Sequence, residues 1–170
     1  MGAVTADVSR SDPEAGRVVM RRLMWHLNDE SGGIGWGAPE AMGDIMARHR
    51  GLAGAYASIL ICYIDPRGNY LDHPGLQAGV LWAVGRLARA WPDLVQSAAD
   101  LIRPFLNDPA VKVRGMAVWA ALPLNDTHLT ACMRALRNDP AEFELYEDHH
   151  LVHRRISELV QGLFSSVLIR

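Results

Sequence analysis

The sequence predicts an all-α chain, a short stack of antiparallel helix pairs. Three observations carry this: apolar residues recur at helical spacing, one small-residue segment returns along the chain, and a helix-ending Asn/Asp/Pro marker returns with it. The stripe Leu52, Tyr56, Ile59, Leu60, Tyr63, Ile64 follows i, i+4, i+7, i+8, i+11, i+12. Leu94, Ala98, Leu101, Ile102, Phe105 and Leu106 repeat it, and Leu129, Cys132, Met133 and Leu136 make a shorter version. Each pattern describes one face of a helix packed on a neighbour.

Taken in order, residues 1–12 are polar, lack the apolar core of a signal peptide, and read as a flexible N-terminus. Residues 13–140 hold the helices. Bulky-striped outer helices are expected at about 14–28, 52–64, 93–106 and 127–137, and inner helices richer in small residues at about 38–49, 75–90 and 110–122. The inner segments align. Ala38, Val80 and Ala117 coincide, as do Ala41, Ala83 and Ala120, and Ile45, Leu87 and Leu124, at spacings of roughly 42 and 37 residues. Asn28-Asp29, Asp65-Pro66, Asn107-Asp108-Pro109 and Asn138-Asp139-Pro140 each follow an apolar helix. There the side chain offers a local acceptor and proline cannot continue the helix. Residues 141–170 break the pattern. Phe143 to Ile156 read as two short strands around a polar turn, with a helix from Ser157 to Leu168, a cap for the open end of the stack; a continuous helix is the alternative.

The segment Val113-Arg114 … Ala117 … Ala120-Ala121-Leu122, preceded by Asn107-Asp108-Pro109, resembles the second helix of a HEAT repeat of the phycobilisome-lyase HEAT-like kind. Leu76-Gln77 … Val80 … Ala83-Val84-Gly85 … Leu87 is similar, with Gln77 at the usual arginine position. The resemblance spans roughly residues 14–140. It implies an α-α superhelix of three to four helix pairs and says little about function, because such stacks serve as scaffolds, adaptors and occasionally enzymes.

Composition narrows the classes. Hydrophobic residues make up 49% and charged residues 21% of the 170, which excludes a disordered chain. No apolar run approaches the length of a membrane span, and a cytoplasmic location is the default expectation. A formal charge of −2 argues against a nucleic-acid binder. Cys62 and Cys132 sit in separate apolar stripes and read as buried free thiols.

On a helical wheel Leu76, Val80, Ala83, Val84 and Leu87 form the packed face of the inner helix at 75–90, with Gly75, Gly79, Trp82, Arg86 and Arg89 opposite. Under the alignment Trp82 corresponds to Glu40 and Trp119, and Arg86 to Asp44 and Pro123. A ladder of Glu40, Trp82 and Trp119 on the concave side follows, with Asp44 and Arg86 beside it. Two readings stand for the tryptophans: exposed anchors for a partner, or fillers of the seam between inner helices. Asp44 and Arg86 are placed to form an ion pair across repeats, worth about 0–1 kcal/mol.

The connections 28–37 and 65–74 are long, belong to neighbouring repeats and should lie side by side, offering Asp29, Glu30, Trp36, Asn69, Tyr70 and His73. Asn28 and Asp29 also serve as plain structural caps.

Other chemistry is thin. The glycines of 32–37 lack the preceding strand and the lysine of a phosphate loop. His149 and His153 would share a face for a metal only on a helix, and the hairpin expected there separates them from that role. His26 reads as an interior hydrogen-bonded histidine. Arg17, Arg21 and Arg22 read as a solvated basic face. No nucleophile elbow, cofactor motif or metal set is present. The expectation is therefore a protein-binding or scaffold module using Trp36, Glu40, Asp44, Tyr70, His73, Trp82, Arg86 and Trp119. The alternative is a small-ligand protein related to HEAT-like lyases, with its site at the two long loops.

Overall fold

The computed structural model describes residues 2–28 and 32–165, and these are mostly helical with one small two-stranded sheet. The order is α1 (Gly2–Ser11), α2 (Pro13–His26), α3 (Ala38–Arg48), α4 (Arg50–Cys62), α5 (Pro74–Ala90), α6 (Ala99–Ile102), α7 (Val111–Ala121), α8 (Thr127–Met133), β1 (Glu142–Glu147), β2 (His150–Arg155) and α9 (Ile156–Ser165). Caps set the breaks. The Asp12 carboxylate accepts from the Glu14 and Ala15 amides, with Pro13 at the first helical position. His49 Nδ1 accepts from Leu52 N, His73 Nδ1 from Gly75 N, and Asp126 Oδ1 from Leu129 N.

The recurring marker has a shared geometry. Asp65, Asp108 and Asp139 each use Oδ1 to accept the amide two residues on, from Arg67 at 2.9 Å, Ala110 at 2.8 Å and Ala141 at 3.0 Å. Each is an Asx turn that redirects the chain after an apolar segment. Arg114 then ties one marker to the next: its Nε donates to Asp139 Oδ2 at 2.9 Å and its Nη1 to the Asp108 carbonyl. At the corresponding position Gln77 donates instead to the Tyr70 hydroxyl, at 2.9 Å.

Helices α3, α5 and α7 lie side by side, α5 in the middle, with α1 against α3 and β1 against α7. Small residues set how near they come. A Cβ on Gly43 would fall 2.5 Å from the Ala83 Cβ, and one on Gly85 would fall 3.0 Å from the Ala120 Cα. Both glycines follow an aligned alanine (Ala41, Ala83) by two positions and pack on the next alanine of the series. Ala83 and Ala120 are fully buried, while Ala41 is partly covered. The core continues through Met42, Ile45, Met46, Leu60, Val80, Leu81, Val84 and Leu87.

Four elements depart from the sequence expectations. Residues 2–11, expected as flexible, form α1 and pack on α2 and α3. The buried set Gly2, Thr5, Ala6 and Ser9 is helically spaced but made of small side chains, so it carries no bulky stripe. The outer helix expected at 93–106 is broken: 3-10 turns at 92–94, 96–98 and 103–107 flank the single turn of α6, and Pro104 ends that turn by removing a donor and clashing with the residues before it. His26, expected inside, is exposed at the end of α2. Cys62 and Cys132 are free but only half-buried.

The strands at 142–147 and 150–155 fall where the hairpin was expected, pairing Leu145 with Val152 and Tyr146 with Leu151. Phe143 and Leu145 point into the core, and Phe143 fills the space left by Gly115 on α7. The end of the expected last helix beyond residue 165 lies outside the described residues.

Gly43→Ala is expected to destabilise the protein by about 1–3 kcal/mol, because α3 and α5 must separate. Gly54→Ala, on an open face of α4, should stabilise it by about 0.4–1 kcal/mol. Urea denaturation of the two variants checks both signs.

Candidate functional site

The expected ladder is brought together, but not as an open surface. Glu40, Asp44, Trp82, Arg86 and Trp119 converge on a cleft over α3, α5 and α7, with the start of α1 on one side and the hairpin on the other. Trp82 and Trp119 are only 6% and 5% exposed, which settles the two readings in favour of packing. The cover comes from elements distant in sequence. Trp82 Nε1 donates to the Tyr146 carbonyl at 2.9 Å, and the two rings lie 6.1 Å apart. Trp119 lies across Gly85, and the Arg89 guanidinium carbon sits 3.2 Å from its ring centre.

Asp44 pairs with Arg86 at 3.4 Å, as the alignment predicted, and the same Oδ1 also accepts from Arg48 at 3.0 Å. All three are half-buried. Arg89 is different. Its Nη1 donates to the Gly85 and Trp119 carbonyls, at 2.8 and 3.2 Å, and no carboxylate of the described residues lies within ion-pair distance. The side chain is solvent-accessible yet recessed in the cleft, where the surrounding protein pulls its pKa down to about 10, the Glu147 carboxylate partly opposing this. It remains a cation at neutral pH. The larger part of the cleft, about 530 Å³, is lined by Asp44, Arg48, Arg86, Arg89 and the hairpin tip. At that tip Asp148 and His149 both take positive φ, 48° and 68°, the twist of a two-residue turn without its usual glycine.

The smaller part, about 350 Å³, holds Glu40 beside Gly79, Trp82, Lys112 and Tyr146. The Glu40 carboxylate rests on Gly79, where a Cβ would come within 2.8 Å, and its Oε2 finds no donor among the described residues. Burial raises its pKa above the usual carboxylate value, with backbone hydrogen bonding and the Lys112 charge opposing. A raised carboxyl is a destabilising charge at neutral pH.

The loop residues come together as expected from adjacent repeats. The rings of Trp36 and His73 meet edge to face at 4.9 Å, and Trp36 also covers Gly75. Trp36 is 61% exposed and lines a mostly apolar hollow of about 780 Å³ with Arg22, Leu23 and His26. Tyr70 is partly exposed and its hydroxyl is engaged by Gln77. Asp29 and Glu30 lie outside the described residues. Arg17 and Arg21 pair with Glu14 on an exposed face.

Sequence reasoning missed Arg48 and Tyr146, and placed Arg89 on the face of Trp82 and Arg86 without assigning it a contact. Arg48 follows Asp44 by one helical turn and was legible by that spacing. Arg89 follows Gly85 by the same spacing, but its stacking on Trp119 depends on the neighbouring helix. Tyr146 had no local signal, since the hairpin's docking on α5 is a long-range event. Among the described residues no group of three or more His, Cys, Asp or Glu is placed to hold a metal ion, and no helix is long and apolar enough to cross a membrane. Comparison with protein-family models, curated proteins and solved structures finds no match.

Glu40→Gln is expected to stabilise the protein at neutral pH. A folded-state pKa above the unfolded one contributes stability at acid pH and loses it as pH rises through the folded value. The advantage of the variant should therefore shrink below about pH 4 and grow toward neutrality, as read from urea midpoints across pH. Trp82→Phe, which removes the donor to Tyr146 but keeps a ring, should cost about 0.5–1.5 kcal/mol and speed amide exchange across residues 142–155.

Proposed function

We propose that the chain is a HEAT-like binding module, an α-α superhelix capped by the hairpin and α9, that holds a protein partner at the inner-helix cleft and the adjoining loops. The observation that supports this most is the convergence of the aligned residues Glu40, Asp44, Trp82, Arg86 and Trp119 on one cleft, where charged groups ring a buried aromatic floor. The tryptophans act as that floor, and the contacts available to a partner are Arg86, Arg89, Tyr146, exposed Leu151 and, at the start of α5, Trp36.

A second reading, a small-ligand protein at the long loops, draws on the hollow beside Trp36, which is large enough for a small molecule.

Affinity capture from the native cell tests the first reading, with four baits compared: wild type, Arg86→Ala, Leu151→Ser and the distant exposed control Arg103→Ala. Specific proteins lost with Arg86→Ala and Leu151→Ser but kept with Arg103→Ala are the expected result. Capture indifferent to all three substitutions, or no specific capture, overturns it. A ligand retained through purification and displaced by Trp36→Ala would favour the second.

A further inference from the structure

We propose that the Arg89 end of the cleft is an oxyanion subsite, which receives a carboxylate or phosphate group from the molecule this module binds. The proposal deepens the binding-module reading by naming the chemistry recognised at that cleft, and it rests on how three arginines are held.

Arg48 and Arg86 share a single oxygen of Asp44, so one carboxylate faces two guanidinium groups. Arg89 is anchored without any carboxylate. Two backbone carbonyls hold its Nη1 and the Trp119 ring holds its face, leaving Nε and Nη2 without a protein acceptor among the described residues. Backbone carbonyls and an aromatic face orient a guanidinium while neutralising little of its charge. Beneath it the buried Trp119 Nε1 also lacks an acceptor. Donors thus outnumber acceptors at this end.

The opposing charges do not reverse this. Glu147 lines the cleft but is engaged by Arg154 at 2.6 Å, outside the cleft lining. Asp148 is the remaining carboxylate, at the hairpin tip next to His149. Counting Arg154 with Glu147, the groups around this larger part of the cleft keep one positive charge in excess, and Arg89 is the guanidinium there with no carboxylate of the described residues within ion-pair distance. A planar guanidinium fixed on one edge is suited to bidentate hydrogen bonding of an oxyanion on the other. The size of the cleft admits a small molecule or a single acidic side chain.

Calorimetric titration and thermal denaturation at constant ionic strength supply the test, on the full chain. The probes are inorganic phosphate, glutarate, and a short uncharged-end peptide carrying one glutamate. Wild type should bind at least one probe and melt higher in it than in matched chloride. R89Q and R86Q should weaken that binding about ten- to a hundredfold, the loss of a charge-assisted hydrogen bond, while R103Q matches wild type. R86Q leaves the Trp119 stack untouched and keeps the test valid should R89Q fold poorly.

Binding of no probe to the wild type, or equal binding by a folded R86Q or R89Q, overturns the subsite. Binding of the peptide assigns the oxyanion to a protein partner. Binding of phosphate or glutarate alone assigns it to a free small molecule. Loss of the capture result above with oxyanion binding intact would remove the protein partner and leave the subsite standing.

Discussion

Gly43 against Ala83, and Gly85 against Ala120, bring three helices close enough for their backbones nearly to touch. At the contact points little more than a methyl group fits between the backbones, and the larger side chains of Glu40 and Trp119 lie beside them on glycines of the neighbouring helix. The cleft is a consequence of this constraint. Glu40 comes to rest on Gly79, Asp44 reaches Arg86, and Trp119 lies across Gly85, each because the neighbouring helix offers a glycine or a short reach where a larger residue would have blocked the approach.

Packing of this kind also explains why the charged groups are half-buried rather than free. A flat row of helices would leave Asp44 and Arg86 as solvated surface residues. Here α1 closes one side, with Gly2 directly against the Asp44 side chain, and the hairpin closes the other, with Tyr146 over Trp82. Shielding from water strengthens each interaction and raises the cost of each unpaired group. Both effects appear in one cleft, in the satisfied indole of Trp82 and in the buried Glu40 Oε2, which finds no donor among the described residues.

The Asx turns and the Arg114–Asp139 pair form a second, independent system at the helix ends. Burial works against the Asp139 charge, but the Ala141 amide and Arg114 together hold its pKa below the ordinary value. These bonds tie the turn after Asn107 to the turn after Asn138 through the first turns of α7.

Most of the helices and the hairpin were legible from local signals: apolar spacing at 3.6 or 2 residues, Asn-Asp-Pro stops, and the recurrence of alanine and glycine at fixed offsets. The same recurrence placed Glu40, Asp44, Trp82, Arg86 and Trp119 on one face, because equivalent positions on parallel neighbours must point the same way. Helix α1 escaped notice since its contact residues are Gly, Thr, Ala and Ser, whose apolar signal is weak although their packing is close. Only the tertiary structure decided whether the tryptophans would be open or covered, which arginine would lack a carboxylate, and where the hairpin would dock. Each of these depends on groups far apart in the chain, Trp82 and Tyr146 among them, and no local spacing encodes which distant surface will exclude water from which side chain.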